Sequence, residues 1–220
     1  IKVPVDPDAN TTDLLVERVR QTPDAALFAI PTGDGGWSDV SAREFHRQVI
    51  ALAKGLVANG IEPGDKIGLM AKTSYEWTLA DFATWFAGAV LVPIYDTNAP
   101  SQIHWNLIDS GAVAIITENA DHAARFDEIR ADVPLVRSVW RLDLGDLDKI
   151  AAAGTGVADE EIERRRKLAK GSDLATLIYT SGSTGKPKGC VITHTNFVAL
   201  SQNAQAAIPE VVNPDSSTLL

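Results

Sequence analysis

The sequence is poor in cysteine, in long apolar runs and in surplus positive charge. Its single cysteine, Cys190, excludes an internal disulfide in a chain of 220 residues and fits a reducing compartment, so a cytoplasmic location is expected. No run of about 18 apolar residues occurs, which argues against a membrane-spanning helix. The longest apolar region, DFATWFAGAVLVPIY (residues 81–95), carries Gly88 and Pro93 and reads as a buried helix followed by a strand. Lys and Arg number 20 against 29 Asp and Glu, for a net charge of −9. A chain of that sign repels a phosphate polymer, so nucleic acid is not an expected partner. No G-x-G-x-x-G triplet is present, and no pair among His46, His104 and His122 has metal-ligand spacing.

What the chain does have is apolar substance and regular alternation. Apolar residues make up 45% of it, enough for one large core or two small ones. TTDLLVERVRQTPDA (residues 11–25) predicts a short helix with Asp13 near its start, and ALFAI and WSDVS, on either side of the turn-rich PTGDGG, predict a hairpin. Ser41 with Glu44 three residues on forms a capping box, after which Phe45, Val49, Leu52, Ala53 and Leu56 repeat at helical spacing until Gly60. KIGLM, VLVPIY, AVAIITE and VRSVWRLD then read as strands, separated by helices beginning near Ser74, Ser101 and Ala120. This order predicts an α/β fold, a mostly parallel layered sheet with flanking helices. DEEIERRRKLAK (residues 159–170) reads as a solvated helix or linker.

After the apolar LATLIYT comes the densest local signal, Thr180-Ser181-Gly182-Ser183-Thr184-Gly185-Lys186-Pro187-Lys188-Gly189. Four hydroxyls, three glycines and two lysines are the groups that gather around an anion, because glycine lets successive N–H groups converge on one point. The spacing is not that of a Walker A loop: Gly182 and Gly185 are too close together, and Pro187 replaces the hydroxyl after Lys186. Val191 and Ile192 favour a strand after the loop, so it joins strand to strand and lacks a helix dipole beneath its anion. Read from composition alone, an ordinary hairpin turn stays open.

The order of these residues carries a resemblance. YTSGSTGKPKG (Tyr179 to Gly189) resembles the signature loop of the adenylate-forming (AMP-binding) enzymes at every position, and SYEWTLADFATWFAGAVLVPIYDTNAPSQIHWNLIDSGAVAIITE (Ser74 to Glu118) is similar to the long-chain fatty-acid–CoA ligases in particular. The resemblance implies an AMP-forming acid–thiol ligase that uses ATP with Mg2+, a fatty acid and coenzyme A. It implies that Thr180, Ser181, Gly182, Ser183, Thr184, Gly185, Lys186 and Lys188 hold the β- and γ-phosphates. Lys188 is the motif lysine and catalytic candidate, Lys186 occupies the variable position, and Thr180 is the candidate metal contact. It also implies the incomplete N-terminal large domain of such an enzyme, with a first α/β subdomain over residues 1–170 and a second beginning in 171–220. The later motifs and the C-terminal domain would be absent, and the fragment alone inactive. A homodimer and peripheral membrane contact go with the same resemblance.

A fatty-acyl-AMP ligase and a non-catalytic nucleotide-binding module are the competing readings. Cys190 is expected as a small buried residue on a strand; His194 either approaches phosphate or substrate or, the favoured reading, stands at a helix start with Thr193 or Thr195 as cap. Trp77, Trp85 and Trp105, at helix positions among apolar neighbours, are expected in the core.

Overall fold

The computed structural model describes residues 3–180 and 186–212. Helix α1 (Thr11–Gln21) starts at Asn10, whose side chain accepts from Thr12 N–H while Asp13 accepts from Asn10 N–H, closing a capping box that the sequence reading did not identify. Strands β1 (Ala26–Pro31) and β2 (Trp37–Ser41) form the expected antiparallel hairpin. Helix α2 (Ala42–Ala58) is capped by Ser41, but Glu44 does not complete the box; its carboxylate is taken by Arg47 and Gln48. The predicted stripe of Phe45, Val49, Leu52, Ala53 and Leu56 is buried throughout, at about 1.5–3 kcal/mol for each large side chain.

From there the chain alternates as the pattern implies: β3 (Lys66–Met70), α3 (Tyr75–Phe86), β4 (Val90–Ile94), α4 (Pro100–Ser110), β5 (Ala112–Thr117), α5 (Ala120–Asp127) and β6 (Ser138–Arg141). Two helices follow, α6 (Asp146–Ala153), which the sequence reading missed, and α7 (Asp159–Arg166). Strand β7 (Leu174–Thr180), strand β8 (Lys188–Thr193) and helix α8 (His194–Ala207) complete the order. Among the described residues, one six-stranded sheet, in the order β6-β5-β3-β4-β7-β8, contains every strand except the first hairpin, and within it only β8 runs antiparallel to its neighbour.

Helix α7 corrects the reading of a solvated segment. Arg165 and Arg166 are both buried, at 5% exposure. Arg165 donates to the Ile61 carbonyl at 2.7 Å and pairs with Glu161 and Glu62; Arg166 pairs with Glu163 and, at 2.8 Å, with Asp13 on α1. The basic run is therefore a clasp between the strand-crossing layer and the first helix. A buried guanidinium needs such partners, since stripping one from a buried pair costs about 3–5 kcal/mol.

Missing α6 has a simple cause: its eight residues offer only Leu147 and Ile150 to the core. Its packing rests on two glycines instead. A Cβ on Gly55 would lie 2.0 Å from the Ile150 carbonyl oxygen, and one on Gly154 would lie 2.3 Å from the Gly55 nitrogen. Because both obstacles are backbone, Gly55→Ala is expected to lower stability by at least about 3 kcal/mol in urea unfolding, the upper end of the usual overpacking penalty. Gly156→Ala, where a Cβ meets nothing within 4 Å, serves as the comparison and is expected to change little.

Candidate functional site

The loop flagged in the sequence springs from the edge of this sheet. Strands β7 and β8 pair in antiparallel register with Tyr179 opposite Gly189 and Thr180 opposite Lys188. Val191 and Ile192 supply the strand propensity that continues β8, and Pro187 sits just before its first residue, where no ladder donor is needed. Thr180 and Lys188 therefore stand side by side at the hairpin's mouth, both exposed. Lys186 is exposed two residues before Lys188, and neither lysine has an ion-pair partner among the described residues. Ser181, Gly182, Ser183, Thr184 and Gly185, the remaining expected phosphate ligands, lie outside the described residues.

The hairpin's stem is gripped by α4. The Tyr179 hydroxyl donates to Asp109 Oδ2 at 2.8 Å, and the Trp105 indole Nε1–H donates to the Pro187 carbonyl at 2.7 Å. Over the same indole, the Lys186 ammonium lies 4.1 Å from the ring centroid. At a partly exposed ring such a cation–π contact is worth about 0.5–1 kcal/mol. Burial, with the Asp109 carboxylate accepting a hydrogen bond from the phenol, raises the Tyr179 pKa above its ordinary value, so Tyr179 is a neutral donor in this contact. Trp105 is half-buried beside the loop stem, which corrects its expected core placement. A helical wheel holds the signal: Ile103 and Leu107 define the buried stripe of α4, and Trp105 and Asp109 share another face. Trp85 does lie in the core, donating from Nε1 to the Ala175 carbonyl of β7, and Trp77 is partly buried against it.

His194 does not face the loop. It is 3% exposed at the start of α8, where its Nδ1 lies 2.8 Å from Thr11 Oγ1 and accepts from Thr11 N–H at 3.3 Å. Thr193 is the N-cap residue of α8, as one of the two expected alternatives, and its N–H donates to Asn196 Oδ1. Cys190 is on a strand as expected but exposed rather than buried, because β8 is the sheet edge. His46, His104 and His122 sit on three different helices, and among the described residues no group of three or more His, Cys, Asp or Glu could hold a metal ion.

A polar crevice of about 570 Å³ opens at the carboxyl ends of β3, β4 and β5, lined by Lys72, Asp96, Asn98, His122 and Arg125 among others. The crossover from β3 goes to β4 on one side while that from β5 goes to β6 on the other, so these adjacent strands form the sheet's topological switch point, the ordinary place for a ligand in an open α/β sheet. Arg125 is fixed there by the Asp96 and Asn98 carbonyls and the Asp121 carboxylate, and His122 Nδ1 by the Met70 carbonyl. Sequence reasoning did not assemble this crevice, since its residues come from three separate strand ends.

With the sheet and the loop stem in place, comparison with known proteins decides the family. A profile of the AMP-binding enzyme family matches residues 15–220. The chain belongs to that family. It is 36% identical over 214 residues to the long-chain-fatty-acid–CoA ligase FadD15 of Mycobacterium bovis, across 96% of this chain and 36% of that protein. A feruloyl-CoA synthase of an Amycolatopsis species is 32% identical over 83% of this chain and 33% of its own length. Among solved structures, the Mycobacterium tuberculosis fatty acyl CoA synthetase superposes with a TM-score of 0.73 at 27% identity, covering 90% of this chain and 37% of that one. A long-chain-fatty-acid-CoA ligase from Archaeoglobus fulgidus reaches 0.77 at 18% identity, a likeness of fold. The chain thus spans about a third of the length of the curated relatives it matches.

The buried His194 makes the site's supporting layer sensitive to acid. Burial lowers its pKa from 6.5 to about 4, outweighing the nearby Asp173 and Asp13 carboxylates. The unfolded chain therefore binds the extra proton first, and stability falls as pH drops through the interval from 6.5 to about 4. The ceiling on that loss is about 3 kcal/mol, at about 1.4 kcal/mol per unit. Urea unfolding of the wild type against His194→Gln isolates the effect: the difference in stability is expected to shrink on acidification across that interval and to be constant above it.

Proposed function

We propose that this chain is the N-terminal part of a long-chain fatty-acid–CoA ligase. In this reading the whole enzyme joins a fatty acid to the α-phosphate of ATP and passes the acyl group to coenzyme A. The observation that carries it is the hairpin mouth, where the motif's Thr180 and Lys188 stand opposite each other, both exposed, and Lys188 has no ion-pair partner among the described residues. In the first half-reaction a carboxylate oxygen attacks the α-phosphorus and the bond to the pyrophosphate oxygen breaks. In the second the thiol sulfur attacks the acyl carbon, AMP leaves and the thiol proton is released. Lys188, Lys186 and the loop hydroxyls and amides are assigned to the β- and γ-phosphates, where negative charge grows as pyrophosphate departs.

Magnesium fits this donor set. It keeps several waters and is held largely through substrate phosphates, and a Ser or Thr hydroxyl is an oxygen it takes beside a phosphate-binding loop; the exposed Thr180 at the strand end would supply such a hydroxyl. When bound, it would supply charge neutralisation on the polyphosphate. Fatty acid, ATP and coenzyme A are the substrates in this reading. No helix among the described residues is long and apolar enough to cross a membrane; peripheral contact with lipid and a homodimer belong to the whole enzyme.

Fatty-acid-dependent ATP–pyrophosphate exchange tests the reading in the enzyme that continues this chain to the length of its relatives. Lys188→Ala is expected to lower the exchange rate about 10²–10³-fold, the usual consequence of removing one donor to developing charge. The 220-residue chain alone is expected to show no exchange. An unchanged rate in Lys188→Ala would reject the assigned role, and a whole enzyme inert toward every fatty acid would reject the ligase.

A further inference from the structure

The phosphate loop carries a lysine at a position where its motif does not require one, and that lysine is not loose. Its ammonium lies over the Trp105 ring, and the same indole holds the next residue's carbonyl. One turn along α4, Asp109 holds the other arm of the hairpin through Tyr179. One helix face therefore fixes both arms of the stem, at Tyr179 before the loop and at Lys186 and Pro187 after it. From these contacts we infer that Trp105 is a positioning residue for the triphosphate, acting through Lys186 and the Pro187 carbonyl. The inference rests on the ligase reading and adds to it a residue far from the motif in sequence.

Two physical points support this role over simple packing. First, the partner chosen for Lys186 is a neutral ring. A carboxylate would cancel the lysine's charge; an indole orients the ammonium and leaves its full charge for an anion. The ring takes one side of the ammonium and leaves its remaining N–H donors for a phosphate, whose charge-assisted hydrogen bonds are stronger than an exposed cation–π contact. Second, the Nε1–H bond pins the backbone at Pro187, directly before the strand residue Lys188. The two lysines are thereby set on the same short segment, one held by its side chain and the other by the backbone preceding it. Trp105 itself contributes little to the buried stripe of its helix, which Ile103 and Leu107 form.

The test is a double-mutant cycle on the whole enzyme, read by pyrophosphate exchange. Trp105→Leu removes both the ring and the N–H, Trp105→Phe keeps a ring face alone, and Lys186→Met, at an exposed position, removes only the cation. Trp105→Leu is expected to raise the KM for ATP about tenfold with the fatty-acid KM within about twofold, and Trp105→Phe to give a smaller rise. The double variant Trp105→Leu/Lys186→Met is expected to be less impaired than the product of the two single effects, as coupled residues are. Multiplicative effects, or an ATP KM unchanged in Trp105→Leu, would overturn the inference while leaving the ligase reading intact. If Trp105→Leu fails to fold, Trp105→Phe, which loses the Nε1–H bond to Pro187, decides the matter, and an ATP KM unchanged in that variant would overturn the inference. A wild-type enzyme without exchange would instead remove the ligase reading, and this inference with it.

Discussion

The antiparallel pairing of β8 with β7 is the constraint on which the rest depends. Five strands of the sheet run parallel, and the first four of them, β3 to β6, lead at their carboxyl ends into helices. By turning straight back, β8 replaces the usual strand-to-helix connection with a strand-to-strand loop. An anion held there gains no helix N-terminus, so the loop's hydroxyls, amides and lysines must provide the binding. On the proposed reading, the motif's richness in those groups and its difference from a Walker A sequence both follow.

A hairpin at a sheet edge is a weak platform unless it is tied down. Only Leu91 and Thr176 stand in direct register between β4 and β7, and the join is strengthened from the side: Thr176 Oγ1 donates to the Leu91 carbonyl at 2.9 Å and Trp85 Nε1 to the Ala175 carbonyl at 2.8 Å. At the other end of the hairpin, α8 is locked to α1 through His194 and Thr11, and α1 is locked to α7 through Asp13 and Arg166. The N-terminal helix, the charged helix and the loop's exit helix form one supporting layer. The clasp of arginines thus belongs to the layer that holds the end of the hairpin opposite its mouth.

Much of this was legible from residues alone. Helix α2 followed from an apolar stripe and Ser41, and β3, β4 and β5 from short apolar runs between turn residues. The loop followed from residue order, and the sheet's mostly parallel character from alternation. The rest depended on partners distant in sequence. Arg165 and Arg166 looked solvated because charged runs usually are; their burial is set by the Ile61 carbonyl and by Asp13. Cys190 looked buried because cysteine usually is, and edge position decided otherwise. Helix α6 had too few apolar residues to show a period, being fitted by backbone contact at Gly55 and Gly154. Trp105 was expected in the core; a helical wheel sets it off the stripe of Ile103 and Leu107, but what it touches depends on the fold.

The central claim is spatial: the mouth of the β7–β8 hairpin receives the tail of a nucleoside triphosphate. A crystal structure of the whole enzyme with a non-hydrolysable ATP analogue and magnesium tests it most directly. The account predicts the terminal phosphates at the hairpin mouth, with the Lys188 ammonium within hydrogen-bond distance of a phosphate oxygen. A triphosphate bound elsewhere, with Thr180 and Lys188 still facing solvent, would contradict it.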